Sequence, residues 1–107
     1  MTLITYVLAD GTRRDVDVEV GSSVMEGARE NDIPGIVADC GGACACSTCH
    51  VYVDRDWIDK LPVPDAIEQD MIEFAWQPEA SRSRLTCQLR VRDDLEGLIV
   101  HIPERQN

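Results

Sequence analysis

Basic residues are scarce in this 107-residue chain: ten Lys and Arg stand against twenty Asp and Glu, a formal charge of −10 at pH 7. That deficit makes nucleic acid and anionic membrane surfaces poor partners. Long apolar runs are missing too. The opening MTLITYVLAD has neither the basic start of a signal peptide nor the Arg/Ser-rich character of a transit peptide. A cytoplasmic or already processed protein without a membrane span is therefore expected. No repeat or low-complexity tract divides the chain, so residues 1–107 are expected to form a single domain.

Cysteine, by contrast, is concentrated. Four of the five cysteines fall within DCGGACACSTCH, residues 39–50, and the fifth is Cys87. Without a secretory signal a disulfide framework is disfavoured, because the cytosol keeps thiols reduced. Packing hides one or two cysteines in many proteins but does not account for four in ten positions. The C-x-x-C pair Cys46 and Cys49 suits metal binding or thioredoxin-type redox chemistry. The latter wants its pair opening a helix in a βαβ unit, which this neighbourhood does not offer. Zinc ordinarily takes two such pairs, and Cys87 has no second cysteine nearby. A zinc site using three cysteines and His50 stays open, at a spacing zinc seldom uses. Plant-type [2Fe–2S] ferredoxins use C-x4-C-x2-C and a distant fourth Cys. Here Cys40-x5-Cys46-x2-Cys49, followed by Cys87, differs by one residue in the first gap.

The rest of the chain predicts an α+β fold. LITYVLADGTRRDVDVEV reads as a β-hairpin turning at Asp10-Gly11, with Val16, Val18 and Val20 alternating with Asp15, Asp17 and Glu19. Ser23 and Glu26 form a capping box for a helix that Asn31 stops. Residues 33–49 show no period and are expected to form a long functional loop. HVYV (50–53), LTCQLRV (85–91) and LIVHI (98–102) are the remaining expected strands. In PDAIEQDMIEFAW, Ile67, Met71, Ile72 and Phe74 fall near helical spacing, which turns Glu68, Asp70 and Glu73 mostly elsewhere. A mixed sheet with a packed helix follows.

The longer first gap, with CSTCHVYV and SRSRLTCQLRV, resembles the adrenodoxin/putidaredoxin type of [2Fe–2S] ferredoxin over nearly the whole chain. The resemblance implies a ubiquitin-like β-grasp fold, a long cluster-binding loop and one [2Fe–2S] cluster. It also implies that Cys40 and Cys46 hold one iron while Cys49 and Cys87 hold the other. Spacing alone leaves Cys44 and Cys46 interchangeable as the second ligand; the family pattern selects Cys46 and makes Cys44 a small loop residue. Such a cluster is anionic in both redox states, and backbone N–H groups around sulfur together with burial tune it. Gly41 and Gly42 leave room for the backbone to curl closely around it. His50 is expected to be structural, hydrogen-bonded to backbone near the following acidic segment. His101 is expected to be structural, and Trp57 and Trp76 to be packing residues. Arg82 and Arg84 are expected in surface ion pairs that contribute little.

Residues 54–79 hold eight acids against two bases. In the resembled family the helix after the cluster loop is the docking surface, which implies docking roles for Asp70 and Glu73 and, beside the first ligand, for Asp39. Ala66 and Ile67 stand where adrenodoxin-like members carry further acids. With no general base, nucleophile or substrate pocket in evidence, the chain is expected to be an electron carrier, not an enzyme. The expected donor is an FAD-containing NAD(P)H ferredoxin reductase, the expected acceptor a cytochrome P-450 monooxygenase, and the carrier a monomer. Cluster assembly, with its scaffold as acceptor, is the alternative; IPERQN at the end resembles the putidaredoxin branch.

Overall fold

A computed structural model describes residues 1–33, 49–79 and 81–104. Strands β1 (Thr2–Val7) and β2 (Arg13–Val18) form the expected antiparallel hairpin. Its loop closes through Leu8 N–H to the Thr12 carbonyl at 2.7 Å. Gly11 sits at φ +91°, a left-handed position that costs glycine nothing. The Asp10 carboxylate accepts from the Thr12 N–H at 2.9 Å, and those bonds hold it below the usual carboxylate range. Val20, expected to continue the buried alternation, lies beyond β2 and is exposed.

Helix α1 (Val24–Glu30) starts where its sequence says it should. Ser23 Oγ accepts from Glu26 N–H and Glu26 accepts from Ser23 N–H, both at 3.0 Å, a reciprocal capping box. Asn31 ends it, donating from Nδ2 to the Gly27 carbonyl at 2.8 Å. The helix lies on the sheet through Val24, Gly27 and Ala28, and the buried Tyr6 hydroxyl donates to the Val24 carbonyl at 2.7 Å.

β3 (His50–Val53), two short helices, α2 (Arg55–Ile58) and α3 (Ala66–Ile72), β4 (Ser83–Leu85) and β5 (Leu98–His101) complete the chain. The five strands lie in the order β2-β1-β5-β3-β4; β5 is parallel to β1 and antiparallel to β3. Ile4, Tyr6, Val18, Val51, Val53, Leu98 and Val100 supply the sheet's share of the main core. The mixed sheet with a packed helix is thus the observed architecture. From 34 to 48 the expected loop lies outside the described residues.

Two expectations need correction. The strand expected over 85–91 ends at Leu85, and Thr86–Gln88 form a 3-10 turn. The cause is a change of partner. Thr86 donates from both N–H (3.1 Å) and Oγ1 (2.9 Å) to the Cys49 carbonyl, closing the β3–β4 ladder. Leu89 and Val91 then pair with the chain before α1, through Val24 N–H to Leu89 O and Val91 N–H to Ser22 O, each 2.8 Å. Buried alternation survives there, which is why the stretch reads as a strand.

The inward face of α3 is also rotated from the expected one. Ile72 is buried and Met71 half-buried, but Ile67 and Phe74 are exposed and Glu68 is 2% exposed. Arg84, likewise buried, donates from Nε (2.7 Å) and Nη2 (3.0 Å) to the two Glu68 oxygens, and Leu85 N–H adds a bond at 3.0 Å. A carboxylate can be buried when paired and hydrogen-bonded in this way. The Arg84 pair is therefore internal, whereas Arg82 does pair at the surface, with Glu79 at 3.7 Å.

Gly27 offers a test of the α1–sheet contact. A Cβ there would stand 2.6 Å from Val18 Cγ2 and 2.9 Å from the Tyr6 hydroxyl. Alanine is the better helix former by about 1 kcal/mol, but overpacking costs about 1–3 kcal/mol. Gly27→Ala is expected to lower stability by roughly 1–2 kcal/mol in chemical unfolding followed by circular dichroism at fixed cluster loading. A gain of stability would show that propensity wins and the contact is soft.

Candidate metal centre

Two of the expected ligands are described, Cys49 and Cys87; Asp39, Cys40, Cys44 and Cys46 lie outside the described residues. Cys49 directly precedes β3 and Cys87 sits in the 3-10 turn directly after β4. Because the two strands pair with His50 opposite Leu85, their ends converge. Both side chains are buried, in a small apolar cluster with Met25, Ile72 and Leu85 and with Met71 packed against it.

The two thiols are hydrogen-bonding neighbours. The bond to Cys87, then burial, then the adjacent charge of Cys87 push the Cys49 thiol far above the ordinary range. Two thiolates cannot sit side by side in apolar surroundings without positive charge between them. A bound metal supplies that charge and deprotonates its thiols outright. Gln88 Nε2 donates to Cys87 Sγ at 3.5 Å, the sort of bond that tunes such a sulfur. Paired, buried, soft donors are what half of an iron–sulfur ligand set requires, and the residues present fit that group.

His50 does not join them. Its ring is buried, with Nε2 at 2.8 Å from Ser83 Oγ and an edge-on contact to Tyr52. Burial lowers its pKa to about 4, so the ring is neutral near pH 7. Ser83 Oγ also accepts from the Glu79 N–H at 2.7 Å, and the Tyr52 hydroxyl donates to the Gln77 carbonyl at 2.7 Å. His50 thus reaches the backbone after α3 through a serine hydroxyl.

Asp70 and Glu73, the expected docking acids, are exposed on and just after α3. Trp57 packs half-buried on the main core with Lys60 Nζ 4.5 Å above its ring, and His101 Nε2 meets Asp54 at 3.1 Å. Both fit the structural roles expected. Glu68 is the residue sequence reasoning missed. Its position four before Ile72 and seven before Ala75 placed it on the buried face all along.

Residues 7–92 match the model of the 2Fe-2S iron-sulfur cluster binding domain. The chain is 48% identical over 106 residues to rhodocoxin of Rhodococcus erythropolis, and 43% identical over 106 residues to putidaredoxin of Pseudomonas putida. In both comparisons 99% of each chain is covered. It superposes on putidaredoxin in the crystal structure of the covalent putidaredoxin reductase–putidaredoxin complex with a TM-score of 0.90, at 42% identity, covering 97% of this chain and 100% of that one. An ISC-like [2Fe–2S] ferredoxin from Pseudomonas putida matches at a TM-score of 0.82 and 36% identity, covering 100% and 96%.

The His50–Ser83 bond can be separated from metal binding. Ser83→Ala removes the hydroxyl shared by His50 and the Glu79 N–H, and is expected to cost about 1–3 kcal/mol of stability. The visible absorption spectrum should stay that of the wild type. Bleaching as complete as in a cysteine variant would show that the serine supports the centre itself.

Proposed function

The chain belongs to the putidaredoxin-type [2Fe–2S] ferredoxins and carries one [2Fe–2S] cluster, and from that premise we propose that it shuttles single electrons from an FAD-containing NAD(P)H ferredoxin reductase to a cytochrome P-450 monooxygenase. The observation that carries the reading is the buried Cys49–Cys87 pair lying directly beneath α3, whose outer face is acidic and exposed. The cluster, when bound, supplies a one-electron couple, the step needed between a two-electron flavin and a one-electron haem.

Every other part falls to the chain. Cys49 and Cys87 would hold one iron and Cys40 and Cys46 the other, with Cys44 outside the ligand set. Asp70 and Glu73 would steer the reductase, and Asp39, beside the first ligand, would act at the acceptor. Residues 1–107 would be one domain acting as a cytoplasmic monomer. Its near-complete coverage of rhodocoxin and putidaredoxin supports that extent, and no helix among the described residues is long and apolar enough to cross a membrane. The reductase as donor draws support from the putidaredoxin complex with its own reductase. The monooxygenase as acceptor is favoured over cluster assembly because the chain is more similar to the redoxins than to the ISC-like ferredoxin.

Ligand assignment has a direct test. Cys40→Ser, Cys46→Ser, Cys49→Ser and Cys87→Ser are each expected to abolish or badly destabilise the cluster, since cluster binding and folding are linked. Cys44→Ser should keep the visible spectrum and the reduced-state EPR signal. A colourless Cys44→Ser beside a coloured Cys46→Ser would reverse that assignment.

Docking is tested by reversing charge. Asp70→Lys and Glu73→Lys are expected to raise the KM for the reductase severalfold without moving the spectrum or Tm, because exposed charges contribute little to folding. Raising salt to about 0.3 M should slow the wild type far more than the double variant, since screening acts over a Debye length of about 8–10 Å near physiological salt. Equal salt sensitivity would remove both residues from the docking surface.

A further inference from the structure

The outer face of α3 holds more than acids. Ile67 on α3 and Phe74 in the turn directly after it are 62% and 75% exposed. With Val63, 87% exposed just before α3, they are three of the five large hydrophobic residues exposed among the described residues, the others being Met1 and Val20. Scattered exposed apolar residues need no explanation, but a cluster within twelve positions does. The fold buries other residues here: Glu68 and Ile72 on α3, and Ala75 after it. Met71 packs against the cluster that contains Cys49 and Cys87. The exposed residues therefore flank, in sequence, the one that packs on the cluster holding both thiols.

What covers these residues is narrowed by charge. Residues 61–79 contain no Lys or Arg, and Asp65, Asp70 and Glu73 are exposed around Ile67 and Phe74. An anionic membrane is repelled by that rim. A second copy of the same face would bring the two rims together, on chains of charge −10. The complementary surface is a protein face with an apolar recess ringed by basic side chains. The link through Met71 to Cys49 and Cys87 calls for a partner that exchanges electrons there.

We propose that Ile67 and Phe74 are the apolar anchor on which the ferredoxin reductase docks, inside the rim of Asp70 and Glu73. The proposal rests on the reading of the chain as a reductase-fed carrier. It divides the work. Rim charges set the encounter rate and its salt dependence, whereas a desolvated aromatic anchor sets how long the complex lasts. Two side chains make a small anchor, in keeping with a partner that must leave quickly.

The test is steady-state reduction of the holoprotein by the reductase with NAD(P)H, at low salt and at about 0.3 M salt. Ile67→Ser with Phe74→Ser is expected to raise the KM for the carrier by about five- to twentyfold at both salts, with the wild-type salt dependence retained. At saturating carrier the rate should recover, and spectrum and Tm should match the wild type because neither residue is buried. A KM within about twofold of the wild type at both salts overturns the proposal, as does a loss confined to kcat. Wild-type self-association in sedimentation that Phe74→Ser abolishes would give these residues to a second copy, and overturns it too. A wild type that no ferredoxin reductase reduces would sink the carrier reading and the proposal together, an outcome visible before any variant is made.

Discussion

Glu68 and Arg84 tie three pieces of chain into one. The carboxylate, on α3, takes two bonds from the guanidinium on β4 and a third from the Leu85 N–H, while Arg84 Nη1 donates to the Pro62 carbonyl at 2.6 Å. Leu85 is two residues before Cys87, so the anchor that seats α3 also seats the turn carrying that cysteine. Neither group can leave alone. An uncompensated buried charge costs about 3–5 kcal/mol, a large share of the roughly 5–15 kcal/mol that holds a small domain folded. Helix α3 and the strand end that leads into Cys87 are therefore fastened to each other by one buried ion pair.

Burial next to that anchor governs the chemistry. Cys49 and Cys87 share an apolar cluster in which burial and the neighbouring Cys87 keep the Cys49 thiol protonated, and a bound metal would supply the positive charge that turns it into a thiolate ligand. His50, between Cys49 and the rest of β3, is held neutral and engaged with Ser83. It adds rigidity without adding a titrating charge beside the sulfurs near pH 7.

Local signals were legible in the residues, and long-range ones were not. The Asp10-Gly11 turn, the Ser23–Glu26 capping box and the HVYV strand depend on neighbours a few positions away, and each stands where its sequence places it. The cysteine spacing narrowed the chemistry to a metal centre, and the resemblance carried by CSTCHVYV and SRSRLTCQLRV named which one. Thr86 is different: its two bonds to the Cys49 carbonyl come from 37 positions away and end a strand that alternation would continue. Glu68 is different for the same reason. Its spacing from Ile72 is a local signal, but the Arg84 that makes a buried carboxylate tolerable lies 16 positions downstream, so polarity outweighs spacing and turns Ile67 and Phe74 inward in its place. Helix α2 was missed because its four residues are too few to show a period.

The place of β5 has a consequence for how the protein folds. Among the described residues it is the last strand in sequence and the middle one in the sheet, parallel to β1 on one side and antiparallel to β3 on the other. Without it the β1–β2 hairpin and the β3–β4 pair can each form, but the two halves have no strand between them. The sheet becomes continuous only through pairings such as Ile4 opposite Leu98, which join distant parts of the sequence and carry a loop-closure cost that local pairings escape. The two halves can therefore form early, whereas their union is the slow step.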